Sequence, residues 1–160
     1  RSQEIGLKVS FIPIVFVAMN AVYAAVAVPF GRLADRVGFF IPIVYGFLIL
    51  VLSDIILGLS GSIWWMFVGI VLWGIHLGMT QGLLLAVVAK LSTLELRGTS
   101  FGLFHAITGI ALLIASLLAG YLWQYHDSNY IFFLSAIITS IGIVVFIIWH
   151  WCYFNKINNK

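Results

Sequence analysis

The sequence predicts an all-α membrane protein, a multipass bundle of five transmembrane helices, and three observations carry that prediction. Hydrophobic residues make up 63% of the 160 and charged residues 8%, against roughly 45–50% and about 25% in soluble domains. The mean hydropathy is +1.16. No charge lies between Val9 and Gly31, and only Asp54 between Val37 and Ala89. The apolar runs are continuous and reach the roughly 20 residues a helix needs to cross a bilayer core. Lipid leaves helices or closed barrels as the structures that pair their own backbone, and a barrel would require alternating polarity.

Five spans follow in order: about 9–30, 39–59, 62–89, 99–125 and 129–154. Gly31 and Gly38 punctuate the first connection, Ser60-Gly61-Ser62 the second, Gly98 the third and Asp127-Ser128-Asn129 the fourth. Short links of this kind make successive helices antiparallel. Orientation follows from Lys and Arg in alternate connections. Arg32, Arg36, Lys90, Arg97, Lys156 and Lys160 fall on one side, and only Arg1 and Lys8 on the other. That asymmetry places the Gly31–Gly38 connection, the 90–98 loop and the carboxyl end in the cytoplasm. Trp64, Trp65, Trp123 and Tyr125 then mark the outer interface, and Trp149, Trp151 and Tyr153 the inner one.

Other classes find little support. The net charge of +3 is spread over short connections, without the basic face that nucleic acid requires. The single cysteine, Cys152, cannot form an internal disulfide. His76, His105, His126 and His150 lack the spacing of a metal site, acids are too scarce for a catalytic carboxylate pair, and no nucleophile elbow or P-loop is present. No cofactor is implied.

Helix periodicity selects the candidate working residues. In the fourth span Gly98, Gly102, His105, Gly109, Ser116 and Gly120 share one narrow sector, with Leu103, Ile107, Ile110, Ile114, Leu118 and Tyr121 opposite. Small faces are where membrane helices approach closely or line a cavity. In the first span Asn20, Ala24, Ala27 and Gly31 share a face with Tyr23 at its edge. The third carries a small-residue ladder, Gly74, Gly78 and Gly82, with Gln81 on the same side and Trp73, His76 and Thr80 roughly opposite. If the ladder packs, His76 and Thr80 face a cavity. Ionisable groups near mid-span generally have a functional reason, whereas Asp54, one turn from a helix end, is expected to reach the interface. Substrate or ion cavity candidates are Asn20, Tyr23, His76, Thr80, Gln81, His105 and Thr108.

Two segments add a resemblance. Gly31-Arg32-Leu33-Ala34-Asp35-Arg36-Val37-Gly38 is similar to the loop signature of the major facilitator superfamily, Gly-x-Leu-Ala-Asp-Arg-x-Gly followed by two basic residues; here Phe39 and Phe40 stand in the basic positions. Glu95-Leu96-Arg97-Gly98-Thr99-Ser100-Phe101-Gly102 resembles the segment that precedes the family's eleventh helix. In that order the two segments place the chain in the carboxyl-terminal half, about helices eight to twelve. Residue 1 is Arg rather than Met, and five spans are an odd number for a transporter half. The reading is therefore of part of a longer chain whose amino-terminal bundle and seventh helix lie elsewhere.

The resemblance implies the general transporter fold: two six-helix bundles around a midplane site, worked by rocking-bundle alternating access. The first, third and fourth spans would line the cavity, while the second and fifth would be peripheral. Gly31, Asp35, Arg36, Gly38, Arg97 and Gly98 would form a cytoplasmic gate, with Asp35 set against a helix amino terminus of the opposite bundle. The implied function is a permease for a small solute in a bacterial inner membrane, with proton coupling as the default. Its partners would be the solute, the lipid bilayer and the missing bundle, with no nucleic acid. An intramembrane enzyme, or a truncated membrane protein without transport, are the alternatives.

Overall fold

The computed structural model describes residues 12–125, 127 and 129–158, with side chains to Cys152. Arg1, Lys8, Val9, His126, Ser128 and Lys160, and the side chains of Tyr153 and Lys156, lie outside the described residues. Five long helices account for nearly all of the described chain: α1 (Ile12–Val37), α2 (Phe40–Leu59), α3 (Ile63–Leu91), α4 (Arg97–Tyr125) and α5 (Asn129–Asn158), with a 3₁₀ turn at Leu94–Leu96 before α4. All five are long and apolar enough to cross a membrane. Pro13 and Pro42 stand in first turns, where no intrahelical N–H is required. Pro29 is interior to α1, and the helix nevertheless continues to Val37.

The chain runs up and down, so α1 and α3 point the same way and α2 runs against both. α3 is the axis, with α1 on one face and α2 on another; α5 lies on α2, and α4 touches α3 and α5 only lightly. Glycines make the axis possible. A Cβ at Gly74 would stand 2.8 Å from the Met19 carbonyl oxygen of α1, and one at Gly78 would stand 2.9 Å from that of Tyr23. Towards α2 the same tightness recurs: a Cβ at Gly46 would meet Thr80 Cγ2 at 2.6 Å, and one at Gly69 would meet Leu57 Cγ at 2.5 Å. Side chains cluster at the two ends. Leu57, Met66 and Ile70 pack with Val15, Met19, Phe67 and Phe132. At the other end Ala34, Ile43 and Leu83 pack with Phe39, Phe47, Val87 and Phe146.

Two features differ from the sequence expectation. The octet 31–38 reads as a connection, but α1 continues through it to Val37. Nothing from Arg32 to Val37 breaks a helix, and the break falls at Gly38 alone, whose φ is +86°. Its N–H bonds the Ala34 carbonyl at 2.9 Å, a left-handed glycine cap. Asp54 does not point outward either. It is 4% exposed, turned into the bundle towards Ser135 of α5, whose hydroxyl bonds the carboxylate. The angular position of Asp54 explains this: it lies within the arc of α2 that also buries Ile43, Leu57 and Gly58.

The packing of α3 yields a direct test. Gly78→Leu should destabilise the bundle by about 1–3 kcal/mol, the usual cost of overpacking, in reversible unfolding from detergent micelles. Gly82→Leu, at a position with no atom within 4 Å of its Cβ, should leave the midpoint unchanged.

Candidate functional site

The seven cavity candidates divide by burial. Asn20 on α1, Gln81 on α3, and His105 and Thr108 on α4 are exposed, and Tyr23 is half-buried. Asn20 Nδ2 donates to the Phe16 carbonyl at 2.8 Å, and Thr108 Oγ1 donates to the Phe104 and His105 carbonyls at 2.9 and 3.1 Å. These bonds stay within one helix and leave each polar side chain on its open face.

His76 and Thr80 are instead enclosed between α3 and α2, 7% and 2% exposed. His76 Nδ1 lies 2.9 Å from the Gly46 carbonyl of α2, a bond that requires the proton on Nδ1. The ring is also tilted against Phe47 at 5.6 Å between centroids. Thr80 Oγ1 donates to the His76 carbonyl at 2.8 Å, and its methyl fills the space left by Gly46. One turn and more away along the same seam, Ser53 Oγ donates to the Gly69 carbonyl at 2.8 Å. His76 and Ser53 therefore tie α2 to α3 through backbone carbonyls.

The glycines assigned to packing also divide. Gly74 and Gly78 meet α1, whereas Gly82 and the α4 glycines Gly98, Gly102, Gly109 and Gly120 have nothing within 4 Å of their Cβ positions. No residue of α4 is buried. Its small face thus lies open among the described residues.

The gating candidates lie at the basic end. Asp35 and Arg36 are exposed on the last turns of α1 and Gly31 is half-buried, while Arg97 and Gly98 are exposed where α4 begins. Ala34, inside the octet, is 2% exposed and anchors α1 to Ile43 and Leu83. Where the signature calls for two basic residues, Phe39 and Phe40 form an aromatic joint. The Phe40 ring stacks on His150 at 3.7 Å and on Phe146 at 5.3 Å, and the Lys90 ammonium stands 5.3 Å from the Phe39 ring centre, within cation–π range. Aromatic stacking joins α2 to α5 in this region.

Asp54 is the polar group that sequence reasoning undervalued. Its Oδ2 atom is buried without a hydrogen-bond partner among the described residues. Its place on the buried arc of α2 was the available signal.

A stacked set of apolar helices with tight glycine seams, polar groups on α1, α3 and α4, and charges gathered at helix ends defines a multipass helical membrane protein. The chain matches the model of the Major Facilitator Superfamily over residues 2–155, and it belongs to that family. It is 32% identical over 130 residues, 78% of its own length, to a protein of Methanocaldococcus jannaschii named as an uncharacterized MFS-type transporter. The match spans 33% of that relative, about one third.

The seam predicts coupled effects. His76→Ala and Ser53→Ala should each destabilise the bundle by about 0.5–2 kcal/mol, in the range of measured interhelical bonds in membranes. Gly46 and Gly69 keep their carbonyls in both variants. A double variant should be close to additive, because the two bonds lie at well-separated points of the seam; unfolding midpoints of the four proteins provide the check.

Proposed function

We propose that this chain is the carboxyl-terminal part of a secondary active transporter that moves a small solute across a membrane by alternating access. The family match carries the transporter class. The distribution of polar side chains supports the cavity: Asn20, Tyr23, Gln81, His105 and Thr108 lie on faces of α1, α3 and α4 that this chain leaves open, and α2 and α5 carry no such open polar face among the candidates. An amino-terminal bundle of the same polypeptide would cover those faces and complete the site. His76 and Thr80 then hold the wall of the cavity in place rather than touching solute.

The gate is assigned to the basic end. Asp35, exposed at the end of α1, is positioned to meet a helix amino terminus of the opposite bundle, and such a contact is worth up to about 2 kcal/mol when partly buried. Arg36, Arg97 and Gly98 stand at the same end. The excess of Lys and Arg there supports a cytoplasmic location for that end and for the carboxyl terminus; a bacterial inner membrane is the proposed location. Proton coupling is the preferred energy source. His105 is the histidine among the open-face candidates, the residue type suited to proton exchange near neutral pH. The family match favours a transporter over the alternative of an intramembrane enzyme.

Reconstituted full-length protein screened for solute uptake or efflux, with and without a proton gradient, tests this reading. Gradient-dependent movement of one solute class is expected, and a chain that assembles but moves no solute under either condition would overturn it. Asp35→Asn should slow transport about five- to thirtyfold, the rate equivalent of 1–2 kcal/mol, with substrate affinity unchanged. Equal loss of both would remove Asp35 from the gate.

A further inference from the structure

At the basic end, α2, α3 and α5 leave an open cavity of about 440 Å³, within the range of small-molecule sites. Its walls are apolar, formed by Ile43, Val87, Phe146 and Trp149 among others, and the Lys90 side chain stands at its edge. No acidic side chain is among the residues that line it. Phe40, His150 and Phe146 form a continuous aromatic wall, stacked at 3.7 and 5.3 Å. Trp149 extends that wall, 6.0 Å from Phe146.

The level of this cavity in the bilayer is set by the helix ends. Phe40 opens α2 and Lys90 is in the last turn of α3, so the cavity lies at one end of the bundle. Tryptophans such as Trp149 and Trp151 favour the headgroup boundary. The apolar part of the cavity therefore lies within hydrocarbon and its cation at headgroup level. The lining comes from α2, α3 and α5 with Val37 and Gly38 at the end of α1, and includes neither a residue of α4 nor any of the cavity candidates Asn20, Tyr23, Gln81, His105 and Thr108.

We propose that this cavity binds an anionic phospholipid, with the phosphate on the Lys90 ammonium and an acyl chain along the wall formed by Val87, Phe146 and Trp149. The pairing of one cation with an acid-free apolar trough selects this occupant. A neutral lipid would leave the ammonium without an anion, and the same basic end of a second copy would bring like charge to the mouth. Val37 and Gly38 form part of the lining, so the bound lipid would touch the end of the α1 octet. Phe39 and Phe40 then shape a lipid site where the family signature carries two basic residues.

The test uses the purified full-length protein in nanodiscs of phosphatidylglycerol mixed equally with phosphatidylcholine, followed by native mass spectrometry of retained lipid. The wild type should retain phosphatidylglycerol about fivefold over phosphatidylcholine, the ratio equivalent to about 1 kcal/mol for one lysine at an anionic surface. Lys90→Gln, at an exposed position that should fold normally, should abolish that preference. Arg32→Gln, which removes a charge at the same end but outside the cavity, should keep it. Phe146→Trp, which fills the trough, should lower retention of both lipids. Unchanged preference in Lys90→Gln, no preference in the wild type, displacement by soluble glycerol phosphate alone, or a dimer that forms through this face would each overturn the assignment.

Discussion

Close approach of α3 to two neighbours at once is the constraint on which the rest of the structure depends. Lipid tails are as apolar as leucine, so hydrophobic burial does little to draw membrane helices together. Contact must come from dense packing and a few polar bonds. Gly74 and Gly78 admit the α1 backbone, and Gly46 and Gly69 admit side chains across the α2 seam. At both α1 positions a Cβ would intrude on a carbonyl oxygen, which cannot swing aside as a side-chain end can. The axis therefore tolerates little enlargement.

That arrangement decides where polar groups can work. Two sides of α3 are committed to packing, so His76, Thr80 and Ser53 spend their hydrogen bonds within and across the seam. Polar residues off those sides, Gln81 on α3 and Asn20 on α1, stay accessible. The helix ends collect the charges, where Lys, Arg and Asp reach water without crossing hydrocarbon. Asp54 breaks this pattern. It lies in the seam between α2 and α5 with a serine as its hydrogen-bond donor, and the described residues supply no partner for its second oxygen.

Much of this was legible in the sequence. The length of the apolar runs gave all five helices, and α2 and α5 begin within one residue of the expected positions. The family followed from the octet and the segment before α4. Other features required the third dimension. Gly31 looks like a helix end, but a lone glycine is tolerated inside a membrane helix, and only Gly38 takes a left-handed φ. Periodicity shows that α3 has two distinct stripes, yet it cannot show that both are covered, because that depends on where α1 and α2 stand. The burial of Asp54 was readable from its angle on α2, and proximity to the helix end obscured it. The aromatic joint of Phe40 with Phe146 and His150 of α5 joins residues more than a hundred positions apart, beyond the reach of local pattern.

The central claim is that α1, α3 and α4 present a water-lined polar surface while the seam of α3 with α2 is closed. Cysteine accessibility measures it most directly. In a cysteine-free background of the full-length protein, single cysteines at Asn20, Gln81 and His105 should react with a small membrane-impermeant thiol reagent, and cysteines at Ser53 and Thr80 should not. Labelling at 53 and 80 with silence at 20, 81 and 105 would contradict the account, because it would place water in the seam and lipid on the proposed cavity.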